Sequence, residues 1–351
     1  MKEKTKVLIM GKMKTHKAIT CIRTVWPMVE YNKRPDMDAS YVDAEQVSSL
    51  LMGGQEDKLH GFDVYVMTRV IGPAKGREPF FFVDDPETQK VVLEVDDDLT
   101  NQDRDFGVGV WLDQTMEEID AVTVSTPHLK RVMKERYNKP TYYLPNYLRT
   151  DFYRDVSMRT KRNHEDVITI GVVGTKTHWG DYRLVLPALK RLKEKHGDKI
   201  LFVVGHYLPE YLKQLGKINF IPGQTYELYP GMIRQLDIRL CPLESDEPFN
   251  DSKSPIAALE AMACGRPTSN GVGGAVAVCS DHLVYRGTVN DGSNGFLVKD
   301  GNWFEVLDQL VSDKELREKV SEKGHRWVVK NRDIRDHSGE WVAAYRKILG
   351  R

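Results

Sequence analysis

The residues from Phe249 to Ser269 place a cation, a helix start and a single carboxylate within one short stretch of chain. Ser254 is a good N-cap, and Pro255 suits the first helical position, where its missing N–H costs nothing. Ile256, Ala257, Ala258, Leu259, Ala261, Met262 and Ala263 then surround one acid, Glu260. Gly265 is expected to close the helix in a left-handed cap, and Pro267 to prevent its continuation. Lys253 together with a helix N-terminus favours an anion. Glu260, about one and a half turns further in, could accept hydrogen bonds from a ribose diol. Phosphate at the helix start and ribose on the acid would make a nucleotide site. The plainer alternative is an ordinary helix of an α/β domain with an acid at its edge.

A second block could complete such a site. Val167 to Val173 is a continuous β-branched, apolar run, as expected for a parallel strand buried on both faces. Gly174-Thr-Lys-Thr-His-Trp-Gly-Asp181 follows it, and a helix is expected over residues 182–196. Ligands of open α/β sheets sit at the C-terminal ends of strands, so Lys176, Thr177 and His178 could meet a diphosphate. Further strands are expected at residues 200–205, 218–221 and 238–243, with a helix over 226–236. Gly271 to Gly274 reads as a flexible loop before a last strand that ends at Val298.

The wording of these blocks resembles retaining glycosyltransferases of the GT-B fold, especially family 4, from about residue 167 to residue 330. The family pattern is Glu, seven residues, then Glu-Ala-Met-Ala-x-Gly-x-Pro. Glu260 matches its second Glu, and Ser252 stands where the first would be. The chain is thus similar to a variant branch reading Phe-Asn-x-x-Lys-Ser-x-x-x-x-x-Glu, with Gly-x-x-x-His-x-x-Asp in the earlier loop. The resemblance implies two Rossmann-like doubly wound α/β domains facing a central cleft. It also implies sugar transfer, with retention, from a nucleoside-diphosphate sugar to an acceptor hydroxyl, as in glycan or cell-surface polymer synthesis. Gly174, Lys176, Thr177, His178, Asn250, Lys253, Ser254 and Glu260 are the implied donor-binding residues. Lys176, Lys253 and the helix terminus would balance charge on the leaving diphosphate. No cofactor is required, and a divalent metal is not favoured.

The N-terminal half alternates five short apolar segments, at residues 7–10, 64–67, 91–95, 121–124 and 141–144, with helical patterns such as 111–119 and 127–137. That alternation predicts a second parallel sheet. The loop from Gly11 to Lys17 is basic, and Gly11, Lys12 and Arg23 are phosphate candidates. Asp96, Asp97 and Asp98 follow a strand and could bind an acceptor hydroxyl, act as a base, hold a metal, or simply form a solvated turn. Asp97, Asp98 and His178 are the catalytic candidates. His128 suits a helix start better than catalysis. The polar segment 150–166 reads as a linker. Three parts are expected: 1–155 on the acceptor side, 156–335 for the donor, and 336–351, a helix with Trp341, Val342, Tyr345 and Ile348 that crosses back to the first domain.

Composition bounds the rest. Fifty-one basic and 51 acidic residues cancel, so no global field recruits nucleic acid or membrane. Four cysteines show no metal spacing and suit reduced core thiols. No 18-residue apolar run or secretory segment is seen, so a cytoplasmic protein is expected. Two other functions fit the same residues. One is a phage-type enzyme that glycosylates a hydroxymethylated DNA base; the other is a non-catalytic nucleotide-sugar-binding module.

Overall fold

The computed structural model describes residues 4–13, 17–69, 82–101, 108–164, 166–299 and 301–351. The chain forms two compact units. The first comprises Met1–Tyr147, Ser252–Ser254 and Ile334–Arg351, and the second Leu148–Asp251 and Pro255–Asp333.

The first unit is built on six parallel strands: β1 (Thr5–Gly11), β2 (Met37–Asp43), β3 (Val64–Thr68), β4 (Lys90–Val95), β5 (Ala121–Val124) and β6 (Thr141–Tyr143). Their order is β2-β1-β3-β4-β5-β6. Successive side chains point to opposite faces, and both faces are buried. Leu8, Met10, Tyr65, Met67 and Leu93 fill one core. Val7, Ile9, Val64, Val66 and Val92 fill the other, together with Ile334, Trp341, Val342, Ala344 and Tyr345 from the end of the chain.

The second sheet is also parallel. It contains β7 (Ile168–Gly174), β8 (Ile200–His206), β9 (Ile218–Pro222), β10 (Ile238–Cys241), β13 (Val276–Ser280) and β14 (Phe296–Val298) in the order β14-β13-β10-β7-β8-β9. Between β10 and β13 an antiparallel hairpin pairs β11 (Arg266–Thr268) with β12 (Gly271–Gly273). Ile170, Val172, Phe202, Val204, Ile238 and Leu240 pack against Leu189, Leu192, Trp303 and Leu307. Two six-stranded parallel sheets with flanking helices make this an α/β chain of two Rossmann-like units.

Several expectations need correction. Residues 150–166 are not a linker throughout, because Thr150–Arg159 is a helix of the second unit. Its inward stripe is Thr150, Tyr153 and Ser157, which has helical spacing but no aliphatic residue. The unit boundary accordingly falls at 147/148 rather than 155/156. Gly265 is not left-handed. A Cβ there would come within 2.8 Å of Arg154 and 2.9 Å of Met158, so glycine allows close approach of the Thr150–Arg159 helix. Residues 271–273 form β12 rather than a flexible loop. The expected helices at 182–196 and 226–236 shorten to Leu186–His196 and Tyr229–Ile233. The Glu260 helix runs Ile256–Ala263, with Pro255 before it and no side-chain cap from Ser254.

Candidate functional site

In the second sheet the strand order reverses between β7 and β10, where open α/β sheets open a crevice for ligands. The loop after β7 carries Gly174 to Asp181, and the loop after β10 carries Glu244 to Asp251. Asp181 is buried and joins them. One carboxylate oxygen accepts from the Glu244 amide at 3.0 Å and from Asn250 Nδ2 at 3.1 Å, and the other lies 2.9 Å from His178 Nδ1. Asn250 also donates to the Glu244 carbonyl. Asp181 thereby fixes which imidazole nitrogen faces outward. The ring stacks on Tyr182 at 6.4 Å, and Lys176 and Thr177 stand exposed on the turn beside it. A Cβ at Gly174 would lie 2.4 Å from the Tyr182 hydroxyl, so the loop needs glycine there. Gly174, Lys176, Thr177, His178 and Asn250 are thus brought to one edge of the second sheet.

Glu260 is buried within a charged network of the same unit. It accepts from Tyr153 OH at 2.9 Å, Tyr229 OH at 2.9 Å and Arg239 Nη1 at 3.1 Å. Arg239 is 2% exposed, and it also donates to the Val173 carbonyl at 3.3 Å. Burial alone would lower the Arg239 pKa, but Tyr229 and Glu260 hold it well above the ordinary value. Burial and the neighbouring carboxylate raise Tyr153 and Tyr229. A carboxylate has about four acceptor positions, and three are occupied here.

The first unit contains the other candidates. Asp96 and Asp97 are both gripped by Arg69, with Arg69 Nε 2.5 Å from Asp96 and Nη2 on Asp97. Arg69 adopts φ 50°, an uncommon left-handed conformation that aims its fork at the pair. Asp98 is buried and accepts from the Thr100 amide at 2.9 Å and hydroxyl at 2.6 Å. The run is therefore neither a solvated turn nor an open pair of catalytic carboxylates, and no cluster of metal-ligating residues occurs among the described residues. Arg23 does not line a phosphate loop. It is 1% exposed, bonds Glu94 at 2.8 Å and donates to Leu144 O and Asn146. Burial raises the Glu94 pKa, against the pull of Arg23. Gly11 ends β1 against Thr20 and Tyr41, Lys12 is half-buried after it, and residues 14–16 of that loop lie outside the described set. Lys253 and Ser254 belong to this unit. The Ser252 carbonyl accepts from Thr126 at 3.1 Å, and Ser254 Oγ from Asn146 at 2.8 Å. His128 sits in the first turn of the Pro127–Tyr137 helix, 2.8 Å from Arg131.

Sequence reasoning missed Arg239, Tyr153, Tyr229 and Arg69. A charge inside an apolar strand must find a partner, and that rule points to Arg239 in Ile238–Cys241 and to Glu94 in Lys90–Val95. Nothing in the local pattern marks the two tyrosines.

Residues 154–327 match the family described as Glycosyl transferases group 1. That match falls within the second unit, apart from Ser252–Ser254, so this part of the chain is similar to the glycosyl transferases group 1 family, and the chain as a whole has a GT-B fold. No curated protein matches the chain in sequence. Among solved structures, HepE of Anabaena, in complex with UDP and glucose, aligns at TM-score 0.62 with 13% identity, over 97% of this chain and 100% of its own. A glycosyltransferase from Rickettsia africae aligns at 0.65 with 13% identity over 99% of each chain. An alpha-glucosyltransferase, in complex with UDP and a 13-mer DNA containing an HMU base, aligns at 0.66 with 13% identity, over 99% of this chain and all of its own. No described helix is long and apolar enough to cross a membrane.

Proposed function

We propose that the protein is a retaining glycosyltransferase that moves a sugar from a nucleoside-diphosphate sugar to an acceptor hydroxyl. The observation that carries this is the joined pair of loops at the β7/β10 reversal within the region similar to glycosyl transferases group 1. His178 and Lys176 present donors there, as a negatively charged diphosphate requires, while Asn250 spends both amide hydrogens on Asp181 and the Glu244 carbonyl and so holds the two loops together. Negative charge grows on the leaving diphosphate as the glycosidic bond breaks, and preorganised cations and N–H donors lower that barrier. Lys176 supplies a cation, and the imidazole of His178, oriented by Asp181, supplies an N–H donor beside it. Glu260 and Arg239 hold the helix and strand behind these loops, and a ribose diol would use the one remaining acceptor position of Glu260. No protein nucleophile and no metal is assigned. Uridine nucleotides are the first donors to test, since HepE is solved with UDP.

The test incubates the purified protein with a panel of UDP-, GDP- and ADP-sugars and measures nucleotide release with and without acceptor. Release of nucleotide from none of them, despite tight binding, would leave only a nucleotide-sugar-binding module. Analysis of the anomeric configuration of the product decides retention. The acceptor is proposed to be a saccharide or surface polymer, made in the cytoplasm. A hydroxymethylated DNA acceptor would instead show a steep salt dependence of binding, because phosphate contacts release counterions.

A further inference from the structure

The second unit has a cavity of about 390 Å³ that no part of the proposed transfer uses. It opens at the N-terminal ends of β7, β10 and β13, beside Ile168, Asp237 and Val276. The seven residues of β7 rise about 3.3 Å each, so roughly 20 Å of strand separates this cavity from the Gly174 loop.

Its walls carry four cations, Arg162, Arg266, Lys314 and Arg317, against three acids, Asp166, Asp237 and Glu318. Asp237 is fully engaged: it pairs with Arg162 and, at 2.6 Å, with Arg266, and it accepts from Thr169. Those two guanidiniums hold its carboxyl down to about 2 despite burial. The Arg162 side chain is 8% exposed, and its Nε, buried, has no hydrogen-bond partner among the described residues. Arg317 spends Nη1 on carbonyls of the preceding helix end, Leu310 O at 2.5 Å among them, and faces no carboxylate within ion-pair distance among the described residues. Burial and the nearby Arg266 lower its pKa, a cost that a bound anion would relieve. Lys314 reaches Glu318 only at 3.8 Å and is otherwise exposed. One positive charge is in excess, and it is presented by planar forks suited to phosphate oxygens. The same lining offers hydroxyl acceptors at Asp166 and Glu318, and Ser321 Oγ, whose proton goes to the Gly274 carbonyl, as a further acceptor.

We propose that this cavity binds a small phosphorylated polyol of the sugar-phosphate class. The phosphate meets Arg317, Arg266 and Lys314, and the hydroxyls meet Asp166, Glu318 and Ser321. The volume exceeds what one inorganic anion fills and lies within the range of small-molecule sites.

Calorimetry on the full chain, with glucose 6-phosphate, inorganic phosphate and glucose as separate probes, tests this. Glucose 6-phosphate should bind tighter than phosphate, and glucose should give no heat. Saturating UDP should leave the binding unchanged. Arg317→Gln should weaken it about tenfold or more. Because Arg317 also caps a helix end, Lys314→Gln, an exposed position, serves as the second variant and should weaken it in the same direction. Absence of binding by glucose 6-phosphate, or unchanged affinity in both variants, overturns the proposal. Displacement by UDP would place the anion at the β7 loop and overturn it too. Equal affinity for phosphate and glucose 6-phosphate would overturn the polyol assignment. None of these outcomes depends on whether sugar transfer is observed.

Discussion

Replacing Glu260 by alanine should unfold the second unit at a lower temperature before it reveals anything about nucleotide binding. The carboxylate is 5% exposed and takes two hydroxyl bonds at 2.9 Å and one guanidinium bond at 3.1 Å. Its partner Arg239 is 2% exposed and would be left with no other carboxylate bond. Breaking a buried pair by removing one partner costs about 3–5 kcal/mol, because the surviving charge stays out of water. For a unit of this size that is a loss of roughly 6–20 °C in melting temperature. Thermal and urea unfolding of Glu260→Ala measure it. The double variant Glu260→Leu with Arg239→Met should recover most of the loss, since an apolar pair of similar volume leaves no orphaned charge. A Glu260→Ala protein that melts within about 1 °C of the parent would refute the reasoning, given the few degrees per kcal/mol expected. If UDP affinity fell at the same time, the carboxylate would be serving ligand rather than fold.

Four further outcomes are expected. Asp237→Asn should cost about 2 kcal/mol at neutral pH, from a carboxyl held near 2 against an ordinary 3.8. Its native pKa is depressed, so that stability is present above about pH 4 and lost as pH falls through about 2; pH-dependent unfolding of parent and variant should converge there. Arg69→Ala strands Asp96 and Asp97 without their guanidinium, and burial then favours the protonated Asp96, so chemical denaturation should show the variant gaining stability on acidification from pH 7 to 5. Gly174→Ala forces a methyl to within 2.4 Å of the buried Tyr182 hydroxyl; a stability loss of about 1–3 kcal/mol with weaker nucleotide titration is expected. Lys176→Ala should lower kcat more than it weakens binding of the bare nucleoside, read from steady-state kinetics beside calorimetry.

The sequence displayed strands whose buried faces carry large β-branched or aliphatic residues, as in Val7–Met10 and Val167–Val173, because such runs read as nearly continuous apolar segments. It hid β2, whose Met37–Asp43 alternates buried and exposed residues at the edge of the sheet. It also hid β13, which follows a glycine-rich hairpin and uses alanine and cysteine where larger residues would have signalled a strand. The loop residues from Gly174 to His178 were legible from the position of one strand end. The partners of Glu260 were not, since Tyr153, Tyr229 and Arg239 come from three segments that only the tertiary fold assembles. The Asp96–Asp98 run looked open for chemistry because Arg69, 27 residues before Asp96, carries no local sign of its left-handed backbone.

One face of the first sheet is closed by the last residues of the chain, and that has a bearing on synthesis. Val7, Ile9, Val64, Val66 and Val92 are translated early, but Trp341 and Tyr345, which pack on them, come nearly two hundred residues after Tyr147. At about 5–20 residues per second, the ribosome leaves that apolar surface uncovered for roughly 10–40 s. The segment that closes this face is made after the whole of the second unit. During that interval the nascent chain presents an uncovered apolar face to its surroundings.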